Sequence, residues 1–178
     1  MGMGILLCGL NGAGKSTLGK ALAEKLGFHF IDSEDLFFPK TDAQPDYARP
    51  RKKEEAQRLL LEEIKFHENF VLASVTGDFG QDFSPCFQYA VQVAVPKEIR
   101  MKRLRERSFS QFGDRMLPGG DLYGQEGAFF RFSGSRAENT VENCLRSLTC
   151  PVIKIDGTKP IEENVSFLGE LITGKKRP

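Results

Sequence analysis

Between residues 9 and 16 the chain reads Gly9-Leu10-Asn11-Gly12-Ala13-Gly14-Lys15-Ser16, followed by Thr17. Glycines at 9, 12 and 14 open backbone conformations closed to residues with a Cβ. The N–H groups of this stretch can therefore turn into one concavity that suits phosphate oxygens. Lys15 adds a full positive charge toward β and γ phosphates, and the Ser16 hydroxyl is a ligand for Mg²⁺. The spacing is that of a phosphate-binding loop, which requires a strand before it and a helix after it. Both are legible. Ile5–Cys8 is an apolar run that reads as a buried strand, and Leu18, Ala21, Leu22 and Leu26 repeat at helical spacing up to Gly27. The glycine spacing does not fit the Gly-x-Gly-x-x-Gly turn of dinucleotide sites. The loop implies ATP with Mg²⁺ as the ligand and leaves the reaction open.

Three further groups have the residue types for phosphoryl chemistry. Asp32, Glu34 and Asp35 stand where a second strand, Phe28–Ile31, runs out. Carboxylates this close repel one another unless a cation or a donor is shared. The cluster therefore suits a Mg·ATP site, with Asp32 the candidate metal ligand and Asp35 or Asp78 the candidate to take an acceptor proton, while the same residue types also suit the start of a helix. The basic stretch Arg100–Arg107 places Arg103 and Arg107 one helical turn apart, with Arg115 beyond them. Guanidinium groups can stack on a base and fork onto phosphate oxygens, although a basic helix face can also simply be solvated. A third strand, Phe70–Thr76, runs into Gly77-Asp78-Phe79-Gly80. There Asp78 is either an acceptor-side or metal-side carboxylate or a turn residue.

The elements that must position these groups alternate. After the first two strands comes a proline-bearing loop and a charged helix over Arg51–Asn69, with Ala56, Leu60, Ile64 and His67 along one face. A fourth strand lies at Ala90–Val95 and a helix at Lys97–Arg107. A second helix spans Ser135–Leu148, a fifth strand Val152–Ile155 and a last helix Ile161–Ile172. Strands separated by helices make a mainly parallel sheet covered on both faces. Residues 108–134 are rich in glycine and phenylalanine and hold no clean period, which reads as a loop that closes over the site.

The 178 residues fit one domain, 1–178. The net charge of +1 gives no general bias toward nucleic acid or anionic membranes, so neither is an expected partner. The four cysteines form no C-x-x-C pair and the chain has only two histidines, so a structural zinc site is not expected. With no signal peptide and no apolar run of membrane-spanning length, a reduced, cytoplasmic protein is the expectation.

On these motifs the chain resembles the P-loop small-molecule kinases, the group of adenylate, shikimate and gluconate kinases, almost end to end. The short "GLNGAGKST", the "LGFHFIDSEDLF" after it, the arginine-rich helix and "VIKIDGTKP" carry the likeness. The resemblance implies a three-layer α/β/α P-loop NTPase fold with a five-stranded parallel sheet in the order 2-3-1-4-5. It implies ATP-dependent phosphoryl transfer to a small molecule such as a nucleotide or sugar acid, by a monomer or homodimer. A nucleotide-binding regulator or slow ATPase is the alternative.

In that family Leu10 through Thr17 cradle the phosphates, and Arg103 lies on the adenine face. Arg107 and Arg115 reach the transferring group, and Gly157, Thr158 and Lys159 wrap the adenine. The acceptor region falls at 36–69, where Tyr47, Arg49 and Arg51 hint at an anionic or ringed acceptor. The lid falls at 108–134. The chain departs from the family at the third strand's loop, which has neither the Asp-Gly-Phe-Pro-Arg of adenylate kinases nor the triple glycine of shikimate kinases.

Overall fold

In a computed structural model of the chain, the described residues are 2–39, 50–77 and 79–174. Strand β1 (Gly4–Cys8) sends Ile5 and Leu7 to one face of the sheet and Leu6 and Cys8 to the other, and all four are wholly buried. A strand with no wet face must lie in the centre of a covered sheet. β1 is flanked by β3 (Phe70–Ser74) and β4 (Phe87–Ala94), with β2 (His29–Asp32) and β5 (Val152–Asp156) at the edges. Every pairing is parallel, in the order β2-β3-β1-β4-β5. The order and the parallel sense match the expectation.

The even and odd residues of β1 belong to two separate cores. On one face, α1 (Lys15–Leu26) and α7 (Ile161–Thr173) bury Leu18, Leu22, Val165, Leu168 and Ile172 against Ile5 and Leu7. On the other face, α2 (Ser33–Phe37), α3 (Lys53–Phe66) and α6 (Thr140–Leu145) bring Leu36, Leu60, Val141 and Leu145 onto Leu6 and Cys8. Helices on both faces make the three-layer sandwich of a P-loop NTPase fold. Among the described residues, no helix is long and apolar enough to cross a membrane.

Two segments differ from the sequence reading. Residues 108–134 are not a loop. α4 runs from Lys97 to Phe112, a 3₁₀ turn covers Gly113–Met116, and α5 spans Tyr123–Ser135. The hidden period has a physical cause. Where α5 is buried it presents polar or small residues: Glu126 and Ser133 are buried, and a Cβ on Gly134 would lie 3.7 Å from Met101 Sδ of α4. Small residues pack helices closely without leaving an apolar stripe in the sequence.

The helix expected over Ser135–Leu148 is likewise broken. Backbone at Arg136 turns extended, and only Thr140–Leu145 is helical beyond it. α3 is also shorter than its expected span, because His67 is extended at its C-terminal cap.

Candidate active site

The phosphate-binding loop leaves the carboxyl end of β1 and enters α1 at Gly14. Gly12 and Gly14 both have left-handed backbone, with φ of 83° and 87°. At Gly12 the demand is double, since a Cβ there would meet the Arg100 carbonyl oxygen at 2.4 Å. The loop is therefore seated on the first turn of α4, and only glycine permits the seat.

Lys15 is buried at the start of α1, and among the described residues its ammonium has a single hydrogen bond, to the Leu10 carbonyl oxygen at 3.4 Å. Burial pulls its pKa below the usual 10.5, while Glu34 and then Asp32 raise it and Arg107 lowers it. A buried ammonium with no carboxylate hydrogen-bonded to it among the described residues fits an anionic ligand. The acidic cluster is close enough to be felt there, and Glu34 acts more strongly than Asp32. Asp32 Oδ1 also accepts a hydrogen bond from the Glu34 backbone N–H at 3.0 Å, so this residue caps α2. Of the two roles weighed from the sequence, the cap is the one this hydrogen bond makes. Ser16 lies in the first turn of α1 and is half-buried; Asp35 is exposed on α2.

On the other flank, Arg103 extends from α4 and both terminal nitrogens donate to the Gly157 carbonyl oxygen, at 3.2 and 3.1 Å. Gly157 is pressed into β4: its N–H donates to Ala94 O, and a Cβ would come within 2.6 Å of both Val93 and Val95. The Asp156 carboxylate holds the turn by accepting from the Thr158 N–H and hydroxyl, and these bonds draw its pKa down. Asn164 ties the last helix to the same turn through Asp156 O at 2.9 Å. Between this turn and the loop lies a cavity of about 280 Å³, lined by Gly14, Thr17, Arg103, Gly157 and Lys159 among others. Residues drawn from three distant parts of the chain thus line one pocket beside the phosphate loop.

Other expected residues are placed elsewhere. Arg115 is exposed and engaged, its guanidinium bonded to Asp121 at 3.0 and 2.6 Å. Arg51, read as a hint toward an anionic acceptor, instead donates to the carbonyl oxygens of Asp35 and Leu36, both at 2.9 Å, and so closes the end of α2. Phe79 is buried, and Gln57 of α3 donates to its carbonyl, which ties the loop after β3 to the core. Asp78, Tyr47 and Arg49 lie outside the described residues.

The sequence reading missed Arg100. It is almost wholly buried, and it donates to Val95 O at 3.1 Å, to Asn11 O at 3.3 Å and to Glu138 at 2.8 Å. It stands four residues before the buried Leu104, on the inward face of α4, and that spacing was the available signal.

Residues 5–112 match the family described as AAA domain. The chain belongs to that family. Among relatives of this AAA-domain protein, the uncharacterized protein YqaC of Bacillus subtilis is 27% identical over 90% of this chain and 92% of its own length. A shikimate kinase of Azobacteroides pseudotrichonymphae is 35% identical over half of the chain and 52% of its own length. The solved shikimate kinase from Acinetobacter baumannii, in complex with shikimate, superposes with a TM-score of 0.57 at 16% identity, covering 100% of this chain and 97% of that one. These matches bear out the resemblance to the P-loop small-molecule kinases drawn from the motifs.

Proposed function

We propose that the protein transfers the γ-phosphoryl group of ATP to a small-molecule acceptor. The observation that carries this reading is the buried Lys15 ammonium. It sits at the carboxyl end of β1 under a glycine-built cradle, and its one hydrogen bond is long. Such a charge is stabilised by a polyphosphate far better than by the single carbonyl it holds. The backbone of Leu10, Asn11, Gly12, Ala13 and Gly14 would bind the phosphates with Lys15, Ser16 and Thr17. The cavity under Arg103, Gly157 and Lys159 would take the base, with Thr158 in the same turn. Ser16 and Asp32 would hold Mg²⁺, which would supply positive charge to offset that of the phosphates.

In the transfer, an acceptor oxygen forms a bond to the γ-phosphorus as the bond to the β–γ bridging oxygen breaks, and ADP leaves. Asp35 would take the acceptor proton, with Asp78 and Arg49 proposed on the acceptor side. Arg107, which already acts on Lys15 electrostatically, would offset charge at the transferring group. Arg115 would join it only by leaving Asp121. The named relatives put shikimate on the list of acceptors to try, but the loop after β3 here is Gly77-Asp78-Phe79-Gly80, so the acceptor class stays broader: a nucleotide, a sugar acid or a similar hydroxyl or phosphate compound.

The test is a panel of such acceptors, shikimate included, with Mg·ATP, measuring ADP release above the acceptor-free rate. An acceptor that raises the rate, with loss of the effect in Lys15→Ala, supports the kinase reading. Nucleotide binding that depends on Lys15 without any acceptor response would instead make the protein a nucleotide-binding module or slow ATPase.

A further inference from the structure

Both histidines of the chain meet at one place, at the amino ends of the strands, the end of the sheet opposite the phosphate loop. His29 is the first residue of β2, and His67 caps the carboxyl end of α3. Their rings stack with centroids 3.6 Å apart and planes 11° from parallel. Glu63, one helical turn before His67, points its Oε2 between them, 2.9 Å from His29 Nε2 and 3.9 Å from His67 Nε2. One ligand atom from each of the three residues falls within 4.8 Å of the others.

We propose that His29, Glu63 and His67 form a binding site for a divalent transition-metal ion of the Zn²⁺ class. Two imidazole nitrogens and one carboxylate oxygen are a donor set that selects Zn²⁺, Cu²⁺ or Ni²⁺ over Mg²⁺ or Ca²⁺, which take oxygen ligands. Ligands about 2 Å from one ion lie little more than 3 Å from each other, so the atoms are near enough, but the two rings must give up their stack for both Nε2 lone pairs to converge on the ion. All three side chains are about one-third to two-fifths exposed, which leaves an entry path and a fourth position for water.

The backbone around the site is fixed. His29 N–H donates to Asn69 O, His67 N–H donates to Glu63 O, and His29 pairs in register with Phe70 of β3. The ion would staple the last turn of α3 to the edge strand β2, two elements that are otherwise joined here by the half-exposed His29–Glu63 hydrogen bond and the ring stack. The sequence alone gives no expectation of zinc, since the cysteines form no C-x-x-C pair and only two histidines are present. The cysteines are not used, and a carboxylate supplies the third ligand.

The test uses the full chain without a histidine tag and Zn²⁺ alone as the probe, read by the imidazole carbon–proton resonances. With two histidines in the chain, assignment needs only His29→Gln and His67→Gln. Both sets of signals are expected to move together and saturate at one equivalent, and each substitution to weaken Zn²⁺ about tenfold or more. Lys15→Ala should leave the Zn²⁺ affinity unchanged. The unsubstituted chain gives the decisive reading whether or not a variant folds. The proposal is overturned if neither histidine responds, or if Zn²⁺ binds with the histidine signals unmoved, which would place it on the cysteines or the acidic cluster.

Discussion

Arg100 donates a hydrogen bond to the carbonyl oxygen of Asn11 at 3.3 Å, joining the basic helix α4 to the middle of the phosphate-binding loop. The same guanidinium holds Val95 O and Glu138, so one buried cation fixes loop, strand end and the segment after α5 relative to one another. Arg100→Ala would leave buried carbonyls without a donor, and we expect a loss of about 3 kcal/mol in denaturant unfolding. Glu138 is well exposed, so Glu138→Gln should cost under about 1 kcal/mol, discounted for solvent screening. Equal losses in the two variants would show that the ion pair, and not the carbonyl bonds, carries the effect.

Lys15 should separate activity from stability. Lys15→Met is expected to reduce acceptor-dependent turnover about 10²–10³-fold, the scale for removing one group that stabilises transition-state charge. Without nucleotide, the variant should unfold at the same temperature as the parent or higher, because it no longer buries a charge that, among the described residues, has no carboxylate hydrogen-bonded to it. A clearly lower melting temperature would mean that Lys15 is a structural residue.

Burial pushes the Cys8 thiol up from 9.0 to about 12. As pH rises the unfolded chain ionises at this thiol first, so the associated stability is whole below pH 9 and is lost between 9 and about 12. Lys15 works in the opposite sense: its lowered pKa lets the folded state shed a proton before the unfolded chain, which relieves the cost of burying the charge as pH climbs toward 10.5. Comparing urea unfolding at about pH 8 and 10.5, Cys8→Ala should lose about 2 kcal/mol less than the parent. In the native protein Cys8 should also resist alkylation at about pH 8, since the neutral thiol is the unreactive form.

The two arginines beyond Arg103 should differ. Arg107→Ala is expected to cut turnover about hundredfold, given its reach to the Lys15 charge. Arg115→Ala should leave the melting temperature unchanged, because its pair with Asp121 is exposed. If Arg115 leaves Asp121 during turnover, its loss will lower kcat, and Asp121→Asn will not. A kinetically silent Arg115→Ala would assign the residue to the surface.

Much of the fold was legible because parallel, doubly covered strands leave continuous apolar runs such as Ile5–Cys8, and a phosphate loop needs glycine where the backbone turns left-handed. Gly12 and Gly14 do turn so. The role of Arg100 was obscured by its neighbours: among Lys102, Arg103, Arg105 and Arg107 one more cation looks solvated, and only its register with Leu104 marks it as inward. α5 was hidden because its buried residues, Glu126 and Ser133, are polar and leave no apolar stripe. The His29–His67 contact could not be read at all, since Glu63 and His67 share a helix turn but His29 joins them only through the pairing of β2 with β3.

The helical state of residues 123–135 has a thermodynamic consequence. A glycine-rich coil that orders over a ligand loses backbone entropy at each residue, on the order of 1–2 kcal/mol apiece. α5 is already ordered, and the backbone next to it has left-handed glycines at Gly113 and Gly119 with open space around them. Any closure of this element is then a swing of a formed helix about two glycines. Calorimetry of nucleotide binding should accordingly show a heat-capacity change set by the surface the ligand covers, without the added signature of a segment that folds as it binds.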